Sequence, residues 1–379
     1  MRREIARWAG VLLCVQRLVF AGCVLLLAAC SQPEPIRIGL LAGLSDRGSD
    51  FGESVRNGVI LAIEQKNAAG GIHGRRIELI VRDDGQNAEQ AKVAAQELID
   101  LRPEIVIGPV TSSMAAVVVP MMDQAGLVII SPTVASTKFF GLDDHFFRVN
   151  CTTEEAAIQH ARVLYGKGLR RAGLAFDRSN LPFSGTWVEA FSKEFARLGG
   201  ETVGTSGFAS AAETPFAVVI RDLLQYQPDA LVLVASTLDT SRLAQQARRL
   251  AKDLHLSSSE WAASADALSE MGGRAVEGML MMHAYDRNDQ RPAYRRFVED
   301  FRQRFNREFG SFSLLAYDTA NVVMTAMERK RPDEGMKQAL LAHAPYAGVQ
   351  QAIQFNETGD ATREVFFTEI LPGQFRQVK

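Results

Sequence analysis

A chain of 379 residues that is 47% hydrophobic and 23% charged has the length and apolar content for about two globular domains with real cores. Its 42 basic and 44 acidic side chains almost cancel, which argues against nucleic acid as a partner.

The amino terminus is a separate element. Arg2, Arg3 and Arg7 precede apolar runs that end at Leu25-Leu26-Leu27-Ala28-Ala29-Cys30, the pattern of a secretory signal and too short for a membrane span. Gln16 and Arg17 interrupt the apolar run, so Leu18 to Ala29 is its working core. The Leu27-Ala28-Ala29-Cys30 ending resembles the lipobox of bacterial lipoproteins, which implies lipidation of Cys30 and leaves residues 31–35 as a tether. Loss of the first 29 residues, with four Arg and one Glu, leaves 38 basic and 43 acidic side chains and a net charge of −5. Cys14 and Cys23 leave with the leader and Cys30 carries lipid, so Cys151 is the one free thiol and no disulfide framework is expected.

The body begins with a buried-strand pattern, Ile36 to Leu41, running into a polar turn. Asp50 with Glu53 reads as a helix start, and Val55, Val59 and Ile63 keep helical spacing until Gly70-Gly71. A strand at Ile77 to Val81 and a helix near Ala88 to Leu101, opened by Asn87 with Gln90, repeat the unit. A third copy follows in strand Ile105 to Ile107, a helix opening at Thr111-Ser112-Ser113, and strand Val128 to Ile130. Both polar turns of this copy lie at strand carboxyl ends, the edge where open α/β sheets bind ligands, so Ser112 is a candidate contact. Capping of the helix by Ser112 or Ser113 is the competing role.

After Phe146 to Val149 the pattern restarts. Thr152 with Glu155 opens a helix, followed by strand Arg171 to Phe176, helix Phe183 to Leu198 and strand Glu201 to Phe208. Thr214-Pro215 reads as the cap and first turn of the next helix, before strand Ala230 to Val234 and a helix near Thr240 to Leu254. Gly278 to Met282 is apolar, and Pro292 to Phe309 and Leu314 to Met327 are helical, with Tyr294, Phe297, Phe301 and Phe305 as a packing stripe. Gln351 to Phe355, the NETGD turn and Val365 to Leu371 read as a terminal hairpin. Strands alternating with helices in two halves predict two α/β lobes with parallel sheets.

No GxxxxGK loop, HExxH, CxxC or GxSxG elbow occurs, the six His are scattered singly, and Asp83-Asp84 is a turn more readily than a metal site. Neither an enzyme nor a cofactor is expected.

The segment IRIGLLAGLSDRGSDFGESVRNGVILAIEQKNAAGGIHGRRIELIVRDDGQN, continued by IVIGPVTSSM, VIISPT, AVEGML and AYDTA, resembles the branched-chain amino-acid (Leu/Ile/Val) type periplasmic binding proteins over essentially the whole mature chain. The resemblance implies a type I periplasmic binding protein fold: two doubly wound αβ lobes joined by three crossovers, with the ligand held between them. It places lobe 1 at 36–150 and 284–346 and lobe 2 at 151–283 and 347–379. It also implies capture of a small polar ligand, an amino acid or a related carboxylate or amide, for an ABC importer. A ligand sensor of the same fold, of the amide-responsive kind, is the alternative. The expected partners are the permease subunits and, through the anchor, the membrane, with the protein itself a monomer on the periplasmic side.

Residue by residue, the family's carboxylate-holding serine falls on Ser112, with Ser113 beside it, and its flanking aromatic falls on Phe51. The family's second-turn Thr falls on Ala135, so Thr133 or Ser136 supplies that hydroxyl, or the carboxylate is held in another way. In the second lobe DRSNLPFSGTW matches the segment that offers an aromatic, Phe183, with Asn180 near it, and Ser236 and Thr237 end a strand. Asp266 is the acid available for a ligand ammonium in EWAASADALSEMGG.

Overall fold

The computed structural model describes residues 33–45, 49–211, 214–262 and 264–378; the leader and Cys30 lie outside them. The first sheet is made of β1 (Ile36–Ala42), β2 (Ile77–Asp83), β3 (Ile105–Ile107), β4 (Ile129–Ser131) and β5 (Phe146–Arg148), in the order β2-β1-β3-β4-β5. Every pairing in it is parallel. Ile38, Leu40, Ile105, Ile107 and Ile130 have no exposed surface, which is why these strands read as unbroken apolar runs: helices cover a parallel sheet on both faces.

The second sheet repeats the design with β6 (Arg171–Asp177), β7 (Glu201–Phe208), β8 (Ala230–Val234), β9 (His255–Ser258) and β10 (Leu280–His283). After a small antiparallel ribbon of β11 (Tyr346–Ala347) and β12 (Ala352–Ile353), the chain adds β13 (Phe366–Leu371) and β14 (Gln374–Val378) to this sheet. Its order is β14-β13-β10-β9-β8-β6-β7, parallel except at the two late strands. The terminal hairpin is therefore β13 with β14 across Pro372-Gly373, and not a pairing of Gln351–Phe355 with Val365–Leu371.

Several helix starts follow their sequence signals. Asn87 accepts from the Glu89 and Gln90 N–H groups, and Thr152 and Glu155 form a reciprocal capping box. Three differ. The first helix begins at Ser49, so Asp50 sits inside its first turn. Thr111, with neither Ser112 nor Ser113, caps the helix Ser112–Gln124 by accepting the Met114 N–H. Thr214 caps nothing, because its hydroxyl turns to the Ala209 and Ala211 carbonyls and the helix starts at Phe216. In the last two cases a neighbouring polar group competes for the expected side chain.

The late helix Ser311–Arg329 returns to the first half and packs on the helix Ser49–Ala68. The approach is so close that a Cβ on Gly58 would lie 2.2 Å from the Ser313 carbonyl oxygen. Tyr294, Phe297 and Phe301 are buried together with Phe309 and Tyr285, a packing cluster as the stripe implied. Beyond the small ribbon, Phe355 packs edge-on against Phe147 and Asp360 bridges to Arg148, both on β5 of the first sheet. Two buried ion pairs hold this stretch, Arg148 with Asp360 and Arg363 with Asp318, each side chain under 5% exposed. The Asp318 carboxylate also accepts the Val349 N–H at 2.8 Å.

Candidate functional site

The turns that follow β1, β3, β4 and β5 meet those that follow β6, β8 and β9, so the carboxyl edges of the two sheets face one another across a cleft. Gly108 makes the turn after β3 possible. Its φ is +122°, and a Cβ there would fall 2.2 Å from the Leu41 carbonyl oxygen.

At the centre of the cleft lies a small cavity of about 20 Å³. From the first half it takes Phe51, Val110, Thr111, Ser112, Thr133 and Asn150, and from the second Asn180, Phe183, Glu260 and Trp261, with Phe312 closing one side. Four aromatic rings form its apolar wall: Phe51 meets Phe312 edge-on at 5.3 Å and Trp261 at 6.4 Å, and Phe183 meets Trp261 at 5.4 Å.

The polar groups separate into two sets. In the first half, Ser131 donates to the Pro109 carbonyl and Thr133 to the Val110 carbonyl at 2.7 and 2.6 Å, which ties the turns after β3 and β4 together. Thr133 therefore lines the cavity with its proton already committed. Ser112 Oγ accepts the Ser136 N–H at 3.4 Å, a weak contact that leaves the Ser112 proton for another acceptor.

In the second half the polar groups are Asn180, which accepts from Ser113, and Glu260. Trp187 Nε1 donates to its Oε2 at 3.0 Å, whereas Oε1 is buried with no hydrogen-bond partner among the described residues. Burial in an apolar surround, opposed by the hydrogen bond of its own backbone N–H and then by that of Trp187, pushes the carboxyl up to about 7. Among the described residues no basic side chain forms an ion pair with it.

The remaining expected residues are distributed around this centre. Ser113 and Asn180 join the two halves directly: the Ser113 N–H and hydroxyl reach Asn180 Oδ1, and the hydroxyl also reaches the Ser179 carbonyl. Ser236 lies on a wider adjoining part of the cleft and caps the helix Thr237–Leu250. Thr237 donates to the Ala262 carbonyl at 3.1 Å and faces a neighbouring recess. Ser136 is fully buried outside the cavity, where it caps a short turn. Asp266 also stands outside. Its carboxylate accepts both terminal nitrogens of Arg287, at 3.0 and 3.3 Å, in an open groove on the flank of the cleft.

Glu260, Trp261, Phe312 and Asn150 were not found from the sequence. The signal for Glu260 was its place after β9, a strand of sequence HLSS that lacks the β-branched run by which its neighbours were recognised.

Two α/β lobes whose sheet edges flank a small cavity with separate polar sets and an aromatic wall define a type I ligand-binding protein. The chain belongs to the periplasmic binding protein family, whose pattern it matches over residues 35–374. The leucine-, isoleucine-, valine-, threonine- and alanine-binding protein of Pseudomonas aeruginosa is 22% identical to it, over 86% of this chain and 87% of that protein. The leucine-specific-binding protein of Salmonella typhimurium is 24% identical over 82% and 84%. Among solved structures, a leucine binding protein from Thermotoga maritima superposes with a TM-score of 0.83 at 23% identity, covering 91% of this chain and 98% of that one. A solute binding protein from R. palustris in complex with benzoate gives 0.82 at 17% identity, over 91% and 95%.

Proposed function

We propose that this protein is the extracytoplasmic solute-binding component of an ABC importer and that its ligand is an α-amino acid with an apolar side chain. The observation that carries the reading is the free Oε1 of Glu260, a buried carboxylate oxygen in the cavity with no hydrogen-bond partner among the described residues. An enclosed anion of this kind is costly unless a cation meets it, and a ligand ammonium supplies one. The Ser112 hydroxyl at the first-lobe side suits the carboxylate, and the rings of Phe51, Phe183, Trp261 and Phe312 suit the apolar side chain. The amino-acid-binding relatives are consistent with this choice. The chain acts as a monomer anchored through Cys30, carries its ligand without altering it, and closes by moving 36–150 with 284–346 against 151–283 with β13 and β14.

A thermal-shift screen tests the reading, since a ligand at about 100 times its dissociation constant adds about 2.7 kcal/mol of stability. L-leucine, L-isoleucine and L-valine are expected to stabilise the protein. Benzoate, a carboxylate without an ammonium, and leucinamide, an ammonium without a carboxylate, are expected to fail. Stabilisation by benzoate with none by the amino acids overturns the proposal.

A further inference from the structure

Behind the cavity the second lobe contains a layer of buried polar atoms that ligand contact alone does not explain. Trp187, on the helix Leu181–Leu198, is fully buried, and its ring is held on two sides: it stacks on Phe191 at 5.4 Å and 11°, and His160 meets it edge-on at 5.3 Å. His160 has no exposed surface and is bonded through Nε2 to Ser257 Oγ. Ser257 lies within hydrogen-bond distance of the Leu280 carbonyl at 3.2 Å, an acceptor that takes its one proton. His160 therefore carries its hydrogen on Nε2. Its Nδ1 has no partner, and burial holds the ring neutral, down at about 3. The indole is thus fixed by β9 and β10 from behind, and its one polar atom points at Glu260.

We propose that Trp187 is the positioning residue of the ligand site: its N–H holds Glu260 Oε2 and so presents Oε1 as the oxygen that receives the ligand's ammonium. This rests on the reading of Glu260 given above. A carboxylate in an apolar cavity with two free oxygens can swing between rotamers and stays protonated more readily. One charge-assisted bond both fixes the plane and favours the ionised form. The other titratable group bearing on Glu260 is the Cys151 thiol, at the start of the crossover after β5. Burial pushes that thiol up, with the Glu260 charge adding to it, and Glu155 and Arg363 act on the thiol in opposite directions. His160 stays neutral, so beside Glu260's own backbone N–H the Trp187 bond is, among the described residues, the side-chain hydrogen bond favouring ionised Glu260.

The sequence has three tryptophans, so the indole N–H signals of the ¹⁵N-labelled protein are few, and Trp187→Phe identifies the one from Trp187. In ligand-free protein that signal is expected to shift with pH along a single curve with its midpoint near Glu260's, and to lose the curve in Glu260→Gln. Trp187→Phe keeps an aromatic ring but removes the donor. It should move the Glu260 midpoint, followed by ¹³C-carboxyl signals, to higher pH, and weaken L-leucine binding at pH 7 about five- to tenfold. Phe191→Leu disturbs the same stack without touching the N–H and should leave the midpoint in place, which separates hydrogen bonding from packing. A Trp187 signal that does not titrate, or a Glu260 midpoint unchanged in Trp187→Phe, overturns the proposal. If Glu260→Gln instead binds L-leucine as wild type does, the amino-acid reading fails, while the ligand-free titration still decides the role of Trp187.

Discussion

The Ser113 N–H and hydroxyl both converge on Asn180 Oδ1, at 3.0 and 3.1 Å, which joins the helix after β3 to the turn after β6 across the cleft. In the closing motion proposed above this contact belongs to the closed form, because Ser113 and Asn180 stand on different halves. Ser113→Ala removes the hydroxyl bonds to Asn180 and Ser179 and leaves the Thr111 cap intact. The closed state should lose about 1 kcal/mol, and apparent ligand affinity about fivefold. Small-angle scattering at sub-saturating ligand should show a larger radius of gyration than wild type. Identical scattering and affinity would remove Ser113 from closure.

Ser112→Ala probes the anionic end of the ligand. Thr111 is the helix cap, so loss of the Ser112 hydroxyl should cost little stability. A charge-assisted bond to a ligand carboxylate is worth about 1.5 to 3 kcal/mol, so affinity should fall roughly ten- to a hundredfold by calorimetric titration. A drop in thermal stability with affinity retained would reverse the assignment.

Glu260→Gln should stabilise the ligand-free protein in a pH-dependent way. The folded-state carboxyl lies at about 7 against an ordinary 4.5, so its contribution to stability is full below 4.5 and is lost as pH rises through 7. Gln has no charge to bury. The variant should gain up to about 3 kcal/mol at pH 8 and almost nothing near pH 4.5, read from thermal unfolding across that range. A gain that does not vary with pH would mean that folding leaves the Glu260 carboxyl at its ordinary value.

Asp318→Asn leaves Arg363 as a buried cation facing a neutral amide. Removing one partner of such a pair costs about 3 to 5 kcal/mol, which urea unfolding would register as a lower midpoint. A midpoint within error of wild type would mean that water reaches the Arg363 guanidinium in solution.

Cys30→Ala should free the protein from membranes and abolish labelling by radioactive palmitate. A wild-type protein that is already soluble and unlabelled would rule out the anchor.

The two-lobed plan was readable because parallel strands buried on both faces leave apolar runs with turn residues at their ends, as Ile105–Ile107 and Ala230–Val234 do. The first-lobe wall of the site followed from that, since Phe51, Ser112 and Thr133 all stand just past such runs. The second-lobe wall was half hidden. β9 is rich in Ser, so its end was not recognised and Glu260 was passed over for Asp266, which an arginine at 3.0 Å already occupies. Helix Ala265–Gly272, which carries Asp266, also went unseen, being too short for a helical period to emerge. Thr111 was passed over as a cap in favour of Ser112, because three hydroxyl residues in a row make the choice depend on one backbone torsion: the Thr111 ψ of 151° places it outside the helix.

The attachment of β13 along the edge of β10 has a consequence for how the protein is made. β10 ends at His283 and its neighbour does not begin until Phe366, so about eighty residues must emerge from the ribosome before that edge is covered. Until then an apolar strand, Leu280 to Met282, stands open to pairing with any other chain. The second lobe is therefore held incomplete until β13 has been made. A nascent chain that cannot close its own sheet stays threadable, and a chain truncated before Phe366 should be found in aggregates.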